Sequence, residues 1–172
     1  NVKPDIITMA KALTNGAIPM GGVAVTDEIY NTVTDAAPDD AIEFFHGYTY
    51  SAHPAACAAG IATQKIYQSE GLFERAAALE DYFLDAVWTL QDHPLVTDVR
   101  GIGLMAGVEL VSDGVAGHRG VQMQKAMFWN GLHVKFTGDN AIIAPAFVAE
   151  RKHVDEIVDK FRSSLDAALE AK

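Results

Sequence analysis

The stretch Asp5-Ile-Ile-Thr-Met-Ala-Lys11-Ala-Leu-Thr-Asn-Gly16-Ala-Ile-Pro19-Met-Gly21-Gly22-Val-Ala-Val-Thr26 organises the reading of the whole chain. Residues 5–10 and 18–26 are two apolar runs rich in β-branched side chains, the pattern of buried strands. Gly and Pro between them mark a turn. Lys11 stands at the end of the first run. An amine at a strand end among apolar neighbours is expected to be partly desolvated, which frees the neutral, nucleophilic form that a Schiff-base lysine needs. A surface lysine reaching into solvent is the commoner outcome of that pattern. Gly21-Gly22 permits close backbone approach, or simply a turn.

Working outward, residues 27–33 read as a short helix, 36–40 as a loop and 44–51 as an irregular aromatic segment. From Pro54 an alanine-rich helix runs to Tyr67, with proline where a first turn tolerates it. Its small side chains predict close packing against a sheet or another helix. A second helix, 72–91, repeats apolar residues at spacings of three and four. The period then switches. Residues 96–111 read as two strands joined around Gly101 and Gly103, and 112–120 as a polar loop. A helix over 121–130 ends at Gly131, a good residue for the position after a helix. Short strands at 132–136 and 141–144 and an amphipathic helix over 150–168 complete the chain.

The sum is α/β. A boundary falls within 70–95, and we draw it at 90/91. Residues 1–90 read as the end of a larger α/β domain with a connecting helix, because their few strands do not close a sheet. Residues 91–172 read as a small α+β domain.

Composition narrows the function. The chain has 172 residues, 49% of them hydrophobic, as a globular protein with a sizeable core requires. Thirteen basic residues against 23 acidic ones give a net charge of −10, which argues against nucleic acid and anionic membrane as partners. No run of 18 apolar residues predicts a membrane span. The single cysteine, Cys57, forms no internal disulfide, so a reducing, cytoplasmic setting is expected. No cysteine–histidine zinc pattern occurs and no metal site is expected. The opening Asn1-Val-Lys-Pro-Asp5 lacks an initiator Met and an apolar leader, which suggests a piece of a longer protein.

The most unusual segment is His46-Gly-Tyr48-Thr49-Tyr-Ser51-Ala-His53-Pro54. It sets hydroxyls and amides just before a helix N-terminus, where unsatisfied N–H groups and partial positive charge suit a phosphate. Capping by Ser51 with aromatic packing is the simpler account, though capping alone does not require two His, two Tyr and Thr together. Cys57 reads as a small core residue. Arg100-Gly-Ile-Gly103-Leu lacks a nucleotide-loop pattern and reads as a tight strand–turn–strand connection. Arg100 either grips a carboxylate or pairs with a neighbouring acid. Lys135 and Asp139 flank the turn at Gly138 and read as exposed turn charges.

Five of these segments, taken in order, resemble the class III pyridoxal-phosphate-dependent aminotransferases of fold type I. They are Pro4 to Gly16, Ile18 to Val25, His46 to Pro54, Val99 to Leu110, and Gly138-Asp-Asn140 with Ala144-Pro145. The His-Gly-x-Thr-Tyr-Ser-x-His-Pro form is most similar to the omega-amino acid:pyruvate branch; ornithine and acetylornithine enzymes usually carry Asn where His53 stands. On this resemblance the chain is a C-terminal fragment: the end of the large domain plus the small domain.

The resemblance implies roles. Lys11 would hold pyridoxal 5′-phosphate as a Schiff base and then carry the proton between the substrate Cα and the cofactor C4′. Thr49, with the backbone N–H of Tyr48, would bind the cofactor phosphate of the neighbouring subunit, making a homodimer with a shared active site. An amine and a keto acid such as pyruvate would be the substrates. Many omega-transaminases clamp the substrate carboxylate with an arginine where Lys135 stands, and a lysine offers a point charge without the planar fork. The family's pyridine-nitrogen aspartate, phosphate loop and stacked aromatic lie upstream of its lysine. These 172 residues alone are therefore expected to be a poor transaminase. Two other readings remain at this point: a non-catalytic dimerisation or complementation module, and another chemistry on the same lysine frame, such as an aminomutase, decarboxylase or racemase.

Overall fold

The structure, a computed structural model, describes residues 2–42, 44 and 46–170. Asn1 of the opening pentapeptide and Phe45 of the aromatic segment lie outside the described residues. The chain divides into two compact units, Asn1–Glu70 and Gly71–Lys172.

In the first unit, strands β1 (Ile6–Met9) and β2 (Gly22–Val25) form an antiparallel hairpin, with Ile6 opposite Val25 and Met9 opposite Gly22. Helix α1 (Asp27–Asp35) follows β2, and helix α2 (Pro54–Ser69) closes the unit. The second strand is shorter than the expected 18–26. Thr14 turns back to donate its hydroxyl to the Ile18 carbonyl at 2.6 Å, which holds the residues before Pro19 in a loop. The expectation of buried strands is corrected: Ile6 is 55% and Val23 65% exposed. Among the described residues the hairpin pairs with no third strand, so β-branched composition finds no layer to bury it. Helix α2 packs one face against the turn after β1, at Leu13 and Ala12, rather than against a sheet or another helix as its small residues led us to expect. Its buried positions, Ala56, Gly60 and Tyr67, fall on one face.

The second unit has a different character. Helix α3 (Leu72–Trp88) continues as a short 3-10 turn, Thr89–Asp92, and leads into β3 (Val96–Ile102) and β4 (Met105–Leu110). Helix α4 (His118–Trp129), strands β5 (Lys135–Thr137) and β6 (Asn140–Ile143) and helix α5 (Arg151–Glu170) follow. The strands form one antiparallel sheet in the order β3-β4-β6-β5. Along β4 the side chains of Ala106, Val108 and Leu110 are buried while Met105 and Glu109 are exposed, so one face of the sheet carries the core. Phe83 from α3, Met127 from α4, and Phe161 and Leu165 from α5 are fully enclosed with Val108 in that core. Burying such side chains contributes about 1.5–3 kcal/mol each.

Helix α3 belongs to this second unit, because Leu79, Phe83 and Val87 are part of its core. The break therefore falls at 70/71 rather than at 90/91. The β3–β4 connection is the tight turn expected at Gly103, with Ile102 paired to Met105. Gly131 follows α4 with φ +78°; its N–H donates to Phe128 and that of Leu132 to Met127 at 2.8 Å. This double closure uses Leu132 to end the helix, so β5 starts at Lys135 and not at 132.

Asp139 is corrected from an exposed turn charge to a cap. Its carboxylate accepts the N–H groups of Gly120 at 2.9 Å and Gly117 at 3.2 Å, which starts α4 at His118 instead of 121. Only glycine fits at 120, since a Cβ there would lie 1.9 Å from the Gly138 carbonyl oxygen. Asp139→Ala is expected to destabilise the second unit by about 1–2 kcal/mol. Gly120→Ala is expected to cost about 3 kcal/mol through overpacking. Urea denaturation checks both, and wild-type midpoints would contradict the cap and the contact.

Candidate active site

Lys11 lies immediately beyond β1, at the start of the 3-10 turn Lys11–Leu13. Its backbone is left-handed, with φ +53°, while Ala10 before it is extended. The chain thus reverses at the lysine. The side chain is exposed, so these residues do not supply the desolvation expected of the amine. No ion pair engages it among the described residues.

Residues 46–53 form a succession of tight turns before α2. The Tyr48 N–H donates to the His46 carbonyl at 3.0 Å, that of Thr49 to Gly47 at 2.8 Å, and that of Ser51 to Tyr48 at 3.0 Å. The rings of Phe44 and His46 stack, and that of Tyr48 lies tilted against them, its centroid 4.1 Å from that of His46. Ser51 does not cap the helix. His53 is the N-cap residue and makes no side-chain cap bond. Proline at the first position has no N–H, and the Cys57 N–H is taken by the His53 carbonyl. The amides of Ala55 and Ala56 and the hydroxyls of Thr49 and Ser51 form no hydrogen bonds among the described residues.

Thr49, Ser51 and Ala56 line a hollow of about 430 Å³ together with Met20, Tyr48, His53 and Cys57. Free hydroxyls beside the positive end of a 16-residue helix suit a phosphate. One expected donor differs: the Tyr48 amide already serves the His46 carbonyl. Cys57 is half-buried at the rim rather than in a core. Tyr48 and Thr49 are thus brought together, whereas Lys11 does not line this hollow.

Lys135 belongs to the second unit. It sits on β5, the edge strand, beside a hollow of about 330 Å³ lined also by His133, Ile142, Pro145 and Ile157. It is exposed and forms no ion pair among the described residues. A free cation at an apolar rim suits a small carboxylate. Arg100, by contrast, is committed. It bonds Asp98 at 2.5 Å and Glu109 at 3.1 Å, and these carboxylates push its pKa further above the ordinary guanidinium value. Of the two sequence readings of Arg100, the structure has the pairing with neighbouring acids.

No cluster of three or more His, Cys, Asp or Glu among the described residues is placed to hold a metal. No described helix is long and apolar enough to cross a membrane. Sequence reasoning missed Tyr67, whose hydroxyl donates to the Ala12 carbonyl at 2.9 Å, next to the lysine. The spacing of Ala56, Gly60 and Tyr67 marks one helical face but not the partner of the hydroxyl.

Against known proteins, the family model for class III aminotransferases matches residues 1–165. An omega-aminotransferase of Caulobacter vibrioides is 47% identical over 165 residues, 95% of this chain and 37% of that protein. A beta-alanine–pyruvate aminotransferase of Pseudomonas aeruginosa is 38% identical over 96% of this chain and 37% of its own length. A solved (S)-enantioselective omega-transaminase from Thermomicrobium roseum superimposes with a TM-score of 0.87 at 37% identity, covering 98% of this chain and 38% of that one. The chain spans a little over a third of the length of these curated relatives. With its mixed helices and sheets following the α/β architecture of fold-type-I transaminases, the chain belongs to the class III aminotransferase family.

Proposed function

We propose that the protein is a pyridoxal-phosphate-dependent transaminase that moves an amino group between an amine or omega-amino acid and a keto acid such as pyruvate. The observation that carries this reading is Lys11: an exposed amine, without an ion pair among the described residues, at a left-handed turn after a strand, inside the family match over residues 1–165. Both nearby relatives named above are themselves aminotransferases, one of them using pyruvate by its name.

When bound, the cofactor supplies an electron-poor ring that accepts the electrons left behind when a proton leaves the substrate. The residues do the rest. Lys11 would hold the cofactor covalently through Nζ, and the same Nζ would serve as the base and acid that moves the proton at the substrate Cα. Thr49 donates its hydroxyl to the phosphate, assisted by the N-terminus of α2. In this reading the phosphate belongs to a neighbouring subunit, so the enzyme is a homodimer, and the separation of Lys11 from the Thr49 hollow supports that arrangement. Lys135 attracts the substrate carboxylate as a point charge. We place the enzyme in the cytoplasm, in keeping with its single cysteine.

Turnover requires residues besides these 172, a view supported by the exposed Ile6, Val23 and Val25 of the hairpin and by the share of the relatives that the chain spans. The isolated 172-residue chain is expected to show negligible transamination, and robust amine-to-pyruvate transfer by it would contradict this.

In the active protein, Lys11→Ala is expected to lower transamination about 1,000-fold or more. An assay of alanine formation from pyruvate checks this; activity within tenfold of wild type would remove Lys11 from the chemistry. Lys135→Ala is expected to raise KM for the keto acid roughly tenfold while leaving KM for a carboxylate-free amine unchanged. Equal shifts for both substrates would show that Lys135 does not read the carboxylate.

A further inference from the structure

The turn that begins at Lys11 is held mainly from outside itself. Its internal bonds are long: the Leu13 N–H reaches the Ala10 carbonyl at 3.4 Å, and that of Thr14 reaches Lys11 at 3.3 Å. Such bonds hold a single turn weakly. At φ +53° the lysine also occupies a region that a side chain with a Cβ disfavours. A residue stays there only when its surroundings over-determine it.

Three contacts do so. Thr14, only 2% exposed, donates to the Ile18 carbonyl at 2.6 Å and pins the far side of the turn. Gly60 lets α2 approach closely, since a Cβ there would lie 3.3 Å from the Met20 sulfur and 3.6 Å from the Leu13 carbonyl oxygen. Tyr67, buried on the same face of α2, donates its hydroxyl to the Ala12 carbonyl at 2.9 Å. Of the three, Tyr67 acts nearest to the lysine in sequence. The carbonyl it holds belongs to the residue directly after Lys11, so the bond fixes the Ala12–Leu13 peptide plane, one residue beyond the left-handed step.

We propose that Tyr67 is a positioning residue for Lys11: its hydroxyl locks the Ala12 carbonyl and so keeps the lysine backbone in the left-handed conformation that aims Nζ at the cofactor aldehyde. This rests on the reading of Lys11 as the cofactor-binding amine. In that condensation Nζ bonds to the aldehyde carbon and the aldehyde oxygen leaves as water. Borohydride then delivers hydride to the C=N carbon and fixes the linkage as a stable secondary amine.

The test is a titration of the full chain with pyridoxal phosphate, quenched with borohydride and read by peptide mass spectrometry at Lys11. Tyr67→Phe keeps the ring and removes only the hydroxyl. Ala62→Gly, at an exposed position in the middle of the same helix, loosens α2 without touching the lysine turn. Tyr67→Phe is expected to raise the pyridoxal phosphate concentration for half-labelling of Lys11 by roughly three- to tenfold, with Ala62→Gly at the wild-type value. A wild-type half-point for Tyr67→Phe overturns the proposal. So does an equal shift in Ala62→Gly, because helix loosening would then suffice. Absence of a pyridoxyl adduct at Lys11 in the unmutated protein overturns the cofactor reading and this proposal together.

Discussion

The attachment of α2 to the lysine-bearing turn is the constraint on which the local structure of the first unit depends. That unit has little core of its own. Its buried positions among the described residues are Thr14, Ala56, Gly60 and Tyr67, and all lie on the turn or on the helix face against it. The lysine turn is thus braced by packing and by the hydrogen bonds of Thr14 to Ile18 and Tyr67 to Ala12 rather than by a large apolar cluster. The second unit is built the other way, around a continuous apolar cluster that joins three helices to one sheet face. Lys11 thus sits on a locally braced turn, and Lys135 on the edge of a firmly cored sheet.

Much of this was legible in the sequence, for identifiable reasons. The amphipathic helices α3 and α5 showed because their apolar residues recur at helical spacing and are buried there. Gly131 and Gly103 marked their turns because the chain needs a left-handed residue at each. Where the reading differed, long-range contacts decided. Helix α4 begins early because Asp139, from another turn, caps it. Alternating burial along β4 was readable, whereas the exposure of β1 and β2 was not, since β-branched composition says what a strand prefers and not whether a layer exists to cover it.

The site was legible in a similar, partial way. Thr49 and Ser51 were singled out by the concentration of hydroxyls before Pro54, and both residues line one hollow. The hydrogen bond of the Tyr48 amide to His46 could not be read, because i to i−2 turns depend on backbone angles that composition leaves open. Tyr67 escaped for a related reason: a lone tyrosine on an alanine-rich helix announces its ring and not the partner of its hydroxyl. Lys135 was visible as a departure from the family's arginine. Its amine, without an ion pair among the described residues, lies beside an apolar hollow.

The central claim is that Lys11 carries the cofactor. An experimental structure of the full chain crystallised with pyridoxal phosphate tests it most directly. The account predicts continuous density from Lys11 Nζ to the cofactor aldehyde carbon, with the lysine backbone still left-handed. Density joining the cofactor to another lysine, with Lys11 free in solvent, would contradict it.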